Sequence, residues 1–272
     1  MSILAGRPTR VVFQGLADPG AETAARRMIA AGTGLLAAVA EGMGGEEFEG
    51  IAVFETVSEA VREKGVTASV VYAEASAAAD AVLEAADAGL DLVVCTTPGV
   101  PLLDAAEMKR ELAGGRTRLV GPGSSGVVTP GECMLGELKP EAFAPGRIGQ
   151  VGSGPGLMLE AAWQLRAAGL GTSTAIDLGG EPVRGLAPAE ALSLFRADSD
   201  TDAILLTGAI DVHDVDDCAR VIAATGKLIA AYMPVTASGE AAGVCRSRIA
   251  SAGAALIDDP AAMARTVAEI LA

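Results

Sequence analysis

The chain has 272 residues, 35 of them acidic against 20 basic, for a formal net charge of −15. So acidic a surface repels phosphate backbones and argues against a nucleic-acid partner. No apolar run reaches the ~18 residues a membrane span needs, and the opening Met1-Ser2-Ile3-Leu4-Ala5-Gly6-Arg7 has no apolar signal core. No membrane partner and a cytoplasmic location are therefore expected.

Short apolar runs alternate with Ala-rich stretches. Strands are expected at Arg10–Gly15, Leu35–Val39, Ala68–Tyr72, Leu90–Thr96 and Arg118–Gly121, and helices at Ala21–Ala31, Thr56–Lys64, Ala75–Ala88 and Leu102–Ala113. Thr56 with Glu59 has the spacing of a capping box. Such alternation with continuous apolar strands predicts a parallel sheet covered on both faces. Residues 122–146 then bring Pro122, Pro130, Pro140 and Pro145 among many glycines, a pattern that reads as an irregular connection. A second series follows. Its strands are Arg147–Val151, Thr172–Ile176, Ala203–Thr207, Leu228–Tyr232 and Ala255–Ile257. Its helices are Leu157–Ala168, Pro188–Ala197, Asp214–Ala224, Glu240–Ser251 and Ala261–Leu271. The expectation is α/β, with two doubly wound domains at 1–121 and 147–272 joined by 122–146. Ligands in such sheets bind beyond the carboxyl ends of the strands.

The cysteines Cys95, Cys133, Cys218 and Cys245 form no C-x-x-C pair and have no histidine at ligand spacing. Reduced thiols follow, with no metal expected on the chain.

Three stretches carry a resemblance. Gly121-Pro122-Gly123-Ser124-Ser125-Gly126-Val127-Val128-Thr129-Pro130-Gly131-Glu132-Cys133 is close to G-P-N-C-P-G-V-I-T-P-G-E-C. The opening Met1-Ser2-Ile3-Leu4 is followed by Gln14-Gly15 at the end of the first strand, and Leu178-Gly179-Gly180-Glu181-Pro182-Val183 with Gly185 is close to I-G-G-D-P-I-x-G. In these the chain resembles the succinyl-CoA synthetase α-subunit family, and the order of elements matches over essentially the whole length. The resemblance implies a Rossmann-like CoA-binding domain followed by a flavodoxin-like domain. It also implies an ATP-grasp β subunit as partner, and a reaction that joins a carboxylate to CoA through a phosphohistidine. The CoA-binding residues it implies are Gly15, Gly20, Met43, Thr96, Thr97, Pro98 and Ser124. Gly152, Ser153, Gly154 and Gly156 stand in its anion-binding turn.

The departures fall where function would sit. The first loop, Gly15-Leu16-Ala17-Asp18-Pro19-Gly20-Ala21-Glu22, lacks the family's hydroxyls and adds Asp18 and Glu22, charges that oppose a phosphate at a helix start. Met43 replaces a lysine, Pro98 a glutamate and Ser124 a cysteine. The turn Gly152-Ser153-Gly154-Pro155-Gly156 has no arginine. Ala209 stands for the glutamate that orients the histidine, and the G-H-A-G-A loop after Val235-Thr236-Ala237 is absent. CoA binding is expected to be weakened.

His213 is the chain's one histidine. It reads either as a relocated phosphoryl carrier or base, or as a surface residue among Asp211, Asp214, Asp216 and Asp217, acids that repel a phosphoryl donor. Those acids in turn read as helix caps or as ligands for a hard cation. The Gly152–Gly156 turn is either an anion nest or a plain tight turn. The loop Gly15–Gly20, with Glu41 after the second strand, has only a loose dinucleotide spacing. Two functions fit: a ligase subunit that transfers from the acyl phosphate directly, or a paralogue that binds and catalyses nothing.

Overall fold

The computed structural model describes residues 3–18, 20–208, 210–234 and 239–272. Two compact units are found. The first holds Leu4–Leu138 and Leu178–Leu186; the second holds Lys139–Asp177, Ala187–Ala272 and, from the start of the chain, Ile3.

In the first unit the chain runs β1 (Val11–Gln14), α1 (Ala21–Ala30), β2 (Leu35–Val39), β3 (Glu47–Phe48), β4 (Ile51–Phe54), α2 (Val57–Lys64), β5 (Ala68–Val71), α3 (Ala78–Asp87), β6 (Leu92–Cys95), α4 (Leu102–Leu112) and β7 (Arg118–Val120). The sheet order is β3-β4-β2-β1-β5-β6-β7. Only the β3–β4 edge hairpin is antiparallel. Counting parallel strands alone, the order is the 3-2-1-4-5-6 of a Rossmann-like sheet, whose direction of winding reverses between β1 and β5. β1, β5 and β6 are buried along their whole length, as strands covered on both faces must be. Helix α1 buries Ala21, Ala24, Ala25 and Met28, the stripe that a 3.6-residue period lays on one face.

The β3–β4 hairpin was not expected, since Ile51–Phe54 is short and only alternately buried. The capping box is shifted by one residue. Thr56 Oγ1 accepts from the Glu59 amide at 3.2 Å, but the Glu59 carboxylate takes the Glu55 amide, not that of Thr56.

The expectation of an irregular connection over 122–146 needs correcting. Those residues contain an antiparallel hairpin of β8 (Gly126–Thr129) and β9 (Cys133–Gly136), fully buried on both strands. Thr33 Oγ1 donates to the Met134 carbonyl at 2.7 Å, and Thr129 Oγ1 to that of Ala5 at 2.8 Å. Three of the four prolines sit where no ladder N–H is needed. Pro130 is in the hairpin turn, Pro140 starts a single 3-10 turn and Pro145 starts the next strand.

The second unit runs β10 (Pro145–Gly152), α5 (Pro155–Ala167), β11 (Thr172–Asp177), α6 (Pro188–Ala197), β12 (Ala203–Thr207), α7 (Val215–Thr225), β13 (Leu228–Tyr232), α8 (Gly239–Ser251), β14 (Ala255–Ile257) and α9 (Met263–Leu271). These strands are parallel and ordered β14-β13-β12-β10-β11, the flavodoxin-like winding. Ile148, Leu165, Leu205, Met263 and Val267 are buried in one cluster between sheet and helices. The α/β class, with a Rossmann-like and a flavodoxin-like sheet, is as expected.

Candidate functional site

In the first unit the loops that leave β1, β2 and β6 surround the winding reversal. Gly15 has φ +89, and a Cβ placed on it would lie 1.7 Å from the Tyr72 carbonyl oxygen, so only glycine fits between β1 and β5. Its amide donates to the Val39 carbonyl at 3.0 Å. Gly20 caps α1 with backbone alone, and the Tyr72 hydroxyl closes over it, 3.1 Å from where a Cβ would be. Burial and the nearby Glu74 carboxylate raise the Asp18 carboxyl above the usual aspartate range. Burial, then Glu137 and Asp18, raise the Tyr72 phenol. The loop is thus ringed by acids. Glu22 pairs with Arg26 at 2.9 Å, and the same guanidinium pairs with Glu49 at 2.7 Å, so one cation is shared by two carboxylates.

The loop after β2 offers its amides inward. The Gly42 and Gly44 N–H groups donate to the two oxygens of Glu55 at 3.0 and 2.8 Å, and the Met43 amide donates to the Ala40 carbonyl at 3.2 Å. These two bonds hold the Glu55 carboxyl below its ordinary range. After β6, Thr96 Oγ1 donates to the Val71 carbonyl at 2.9 Å and Thr97 Oγ1 to that of Ala73 at 2.8 Å. Both threonines are buried and serve as struts between loops. Pro98 is exposed. The Gly99 amide that follows donates to Glu181 Oε1 at 2.8 Å. Ser124 is buried, and its Oγ accepts from the Gly126 amide at 2.9 Å, holding the start of β8.

In the second unit, β10 turns into α5 through Gly152, Ser153 and Gly154, with Pro155 at the first helical position. The Gly154 amide donates to Oδ1 of the fully buried Asp177 at 2.9 Å, and the Ser153 amide to the Thr207 carbonyl at 3.2 Å. Gly152 lies against Thr207, whose buried Oγ1 has no hydrogen-bond partner. Space is open around Gly156. His213 is exposed at the entry to α7, where Asp211 Oδ1 accepts the amides of His213 and Asp214 at 2.9 and 3.1 Å. Asp216 pairs with Arg248 at 2.7 Å, and Asp217 with Arg220. Asp211 thus holds the turn ahead of α7, and Asp216 and Asp217 are ion-paired. Ala209 and Val235–Ser238 lie outside the described residues.

The structure therefore brings Gly15, Gly20, Met43, Thr96, Thr97, Pro98 and Ser124 onto loops of one unit, and Gly152, Ser153, Gly154 and Gly156 onto one turn of the other. The carboxylates seated on these loops' amides, Glu55, Glu181 and Asp177, were missed by sequence reasoning. Comparison with known proteins supplies the kinship. The CoA binding domain model matches residues 6–99, and the CoA-ligase model residues 151–268. The alpha subunit of succinate–CoA ligase [ADP-forming] from Aquifex aeolicus is 38% identical over 290 residues, covering 100% of this chain and 95% of that one. The chain belongs to the succinate–CoA ligase alpha-subunit family.

The alpha subunit from Staphylococcus aureus strain Mu50 is 40% identical over 224 residues, 82% of this chain and 74% of its own. Among solved structures, ATP citrate lyase from Methanothrix soehngenii, in complex with citrate and coenzyme A, superposes with a TM-score of 0.84 at 18% identity. It covers 99% of this chain and 51% of the lyase. The dinucleotide-forming acetyl-coenzyme A synthetase 1 of Ca. Korarchaeum cryptofilum gives 0.78 at 15%, over 93% of this chain and 58% of its own. At such identities these two establish shared fold alone. For this member of the succinate–CoA ligase alpha family, the described residues include no helix long and apolar enough to cross a membrane.

Proposed function

We propose that this chain is a divergent α-type subunit of a carboxylate–CoA ligase that works in the cytoplasm with an ATP-grasp β subunit and without a phosphohistidine step. One observation carries the reading. The chain is 38% identical to an alpha subunit along its whole length, yet its sole histidine, His213, is an exposed residue at a helix entry whose backbone amide is bound by Asp211. In this reading the carboxylate substrate attacks the γ-phosphorus of ATP on the partner, with ADP leaving. The CoA thiolate then attacks the acyl phosphate carbonyl and expels phosphate. This chain would present CoA along Gly15, Gly20, Met43, Thr96, Thr97, Pro98 and Ser124, and would hold the phosphate at Gly152, Ser153, Gly154 and Gly156. CoA affinity would be weak, because Asp18 would set its charge against phosphates on that loop and Met43 supplies no cation.

The test incubates the chain with its candidate β subunit, magnesium and labelled ATP. Acyl-CoA formation without acid-labile label on this chain supports the proposal. Label that vanishes in His213→Asn refutes it. A second reading, a binding subunit that catalyses nothing, is favoured by Glu55, Glu181 and Asp177, which take up amides at the candidate sites. It stands if no ATP-grasp partner yields turnover.

A further inference from the structure

Glu55 lies outside every motif that marks the family resemblance, yet it sits on the amides of a glycine-rich loop. Gly42 and Gly45 have φ of +75 and +88, and the Met43 and Gly45 amides donate to the Ala40 and Val53 carbonyls, which leaves the alternate amides of Gly42 and Gly44 turned toward one anion. Gly42 N and Gly44 N donate separately to Oε2 and Oε1 of Glu55 at 3.0 and 2.8 Å, a two-pronged grip on one anion. The fit is close: a Cβ on Gly44 would lie 2.6 Å from both Cγ and Oε1 of Glu55. The carboxylate is on the surface, so water could satisfy the same amides, and nothing in the packing forces the side chain there. Glu55 also lines an open surface groove of about 540 Å³ together with Glu46, Phe54, Glu59, Arg62, Glu63 and Lys64.

We propose that Glu55 is a built-in occupant of an oxyanion site formed by the Gly42 and Gly44 amides, and that it sets specificity by excluding phosphate-bearing ligands from the loop after β2. The proposal deepens the weak-CoA reading above and rests on it. The chain's own carboxylate supplies the negative charge these amides hold, so an incoming phosphate must displace it and then meet its charge at close range. Without Glu55 the two amides are open to a ligand oxyanion.

The experiment is calorimetric titration with inorganic pyrophosphate as probe, on the full chain, comparing wild type, Glu55→Ala and Glu55→Gln, with circular dichroism to check the fold. Wild type should show no saturable binding at low millimolar pyrophosphate. Glu55→Ala should bind at least about tenfold tighter. Glu55→Gln keeps the length but not the charge, and should also gain; it decides the matter if the alanine variant does not fold. A purely structural staple would lower stability in both variants without any gain in pyrophosphate affinity, and that result overturns the assignment. CoA is titrated into wild type in parallel. Micromolar binding there would sink the weak-CoA reading, whereas the pyrophosphate comparison judges Glu55 separately.

Discussion

Substituting Gly15 by alanine puts the winding reversal of the first unit to the test. The backbone there holds φ +89, and the new Cβ would fall 1.7 Å from the Tyr72 carbonyl oxygen, so β1 and β5 must part or the loop must shift. A non-glycine residue held at positive φ costs about 1–3 kcal/mol, and overpacking a tight contact another ~1–3 kcal/mol, together about 2–6 kcal/mol. With a urea dependence of about 2 kcal/mol per molar, the midpoint should drop by roughly 1–3 M. Far-ultraviolet circular dichroism follows the transition, and an unchanged midpoint in Gly15→Ala would refute the steric argument.

Thr56→Ala removes the side-chain cap of α2 and should cost about 1 kcal/mol in urea unfolding; no loss would mean the Glu59 amide is equally well served by water. Burial pushes the Cys95 and Cys133 thiols up to about 11, so neither should be alkylated by iodoacetamide at about pH 8 in the native protein, as read by mass spectrometry. Arg147 holds the Asp202 carboxyl below its ordinary 3.8. A lowered folded-state value stabilises fully above 3.8 and fades as pH falls through it, so wild type should lose stability more steeply than Asp202→Asn below about pH 4. The pair is half-exposed, and the difference should stay within about 1 kcal/mol.

Elements with a clear period were legible in the sequence. The buried alanines of α1 fall at helical spacing, and β5 and β6 are unbroken apolar runs. The β8–β9 hairpin was hidden because Pro130 and its glycines read as breakers, although Gly126 and Gly136 are there to let two strands approach closely: a Cβ on Gly126 would meet the Leu135 oxygen at 1.9 Å. The candidate loops were found from motif position alone. What fills them was not, because Glu181 reaches Gly99 across 82 positions and Asp177 reaches Gly154 across 23. No periodic pattern encodes such contacts. The Glu22–Arg26 pair was within reach, since the two stand four residues apart on α1.

The Leu178–Leu186 segment belongs to the first unit although it is translated long after Leu138. Its Gly185 amide donates to the Gly121 carbonyl at 2.8 Å, and its Glu181 closes on Gly99. At typical synthesis rates of about 5–20 residues per second, some 2–10 s separate the emergence of these two positions. During that interval β10, α5 and β11 have already been made, while Gly99 and Gly121 of the first sheet still lack the Glu181 and Gly185 groups they bind. A fragment cut at residue 146 would stay in that unfinished state. One that runs through Leu186 carries every piece of the first unit.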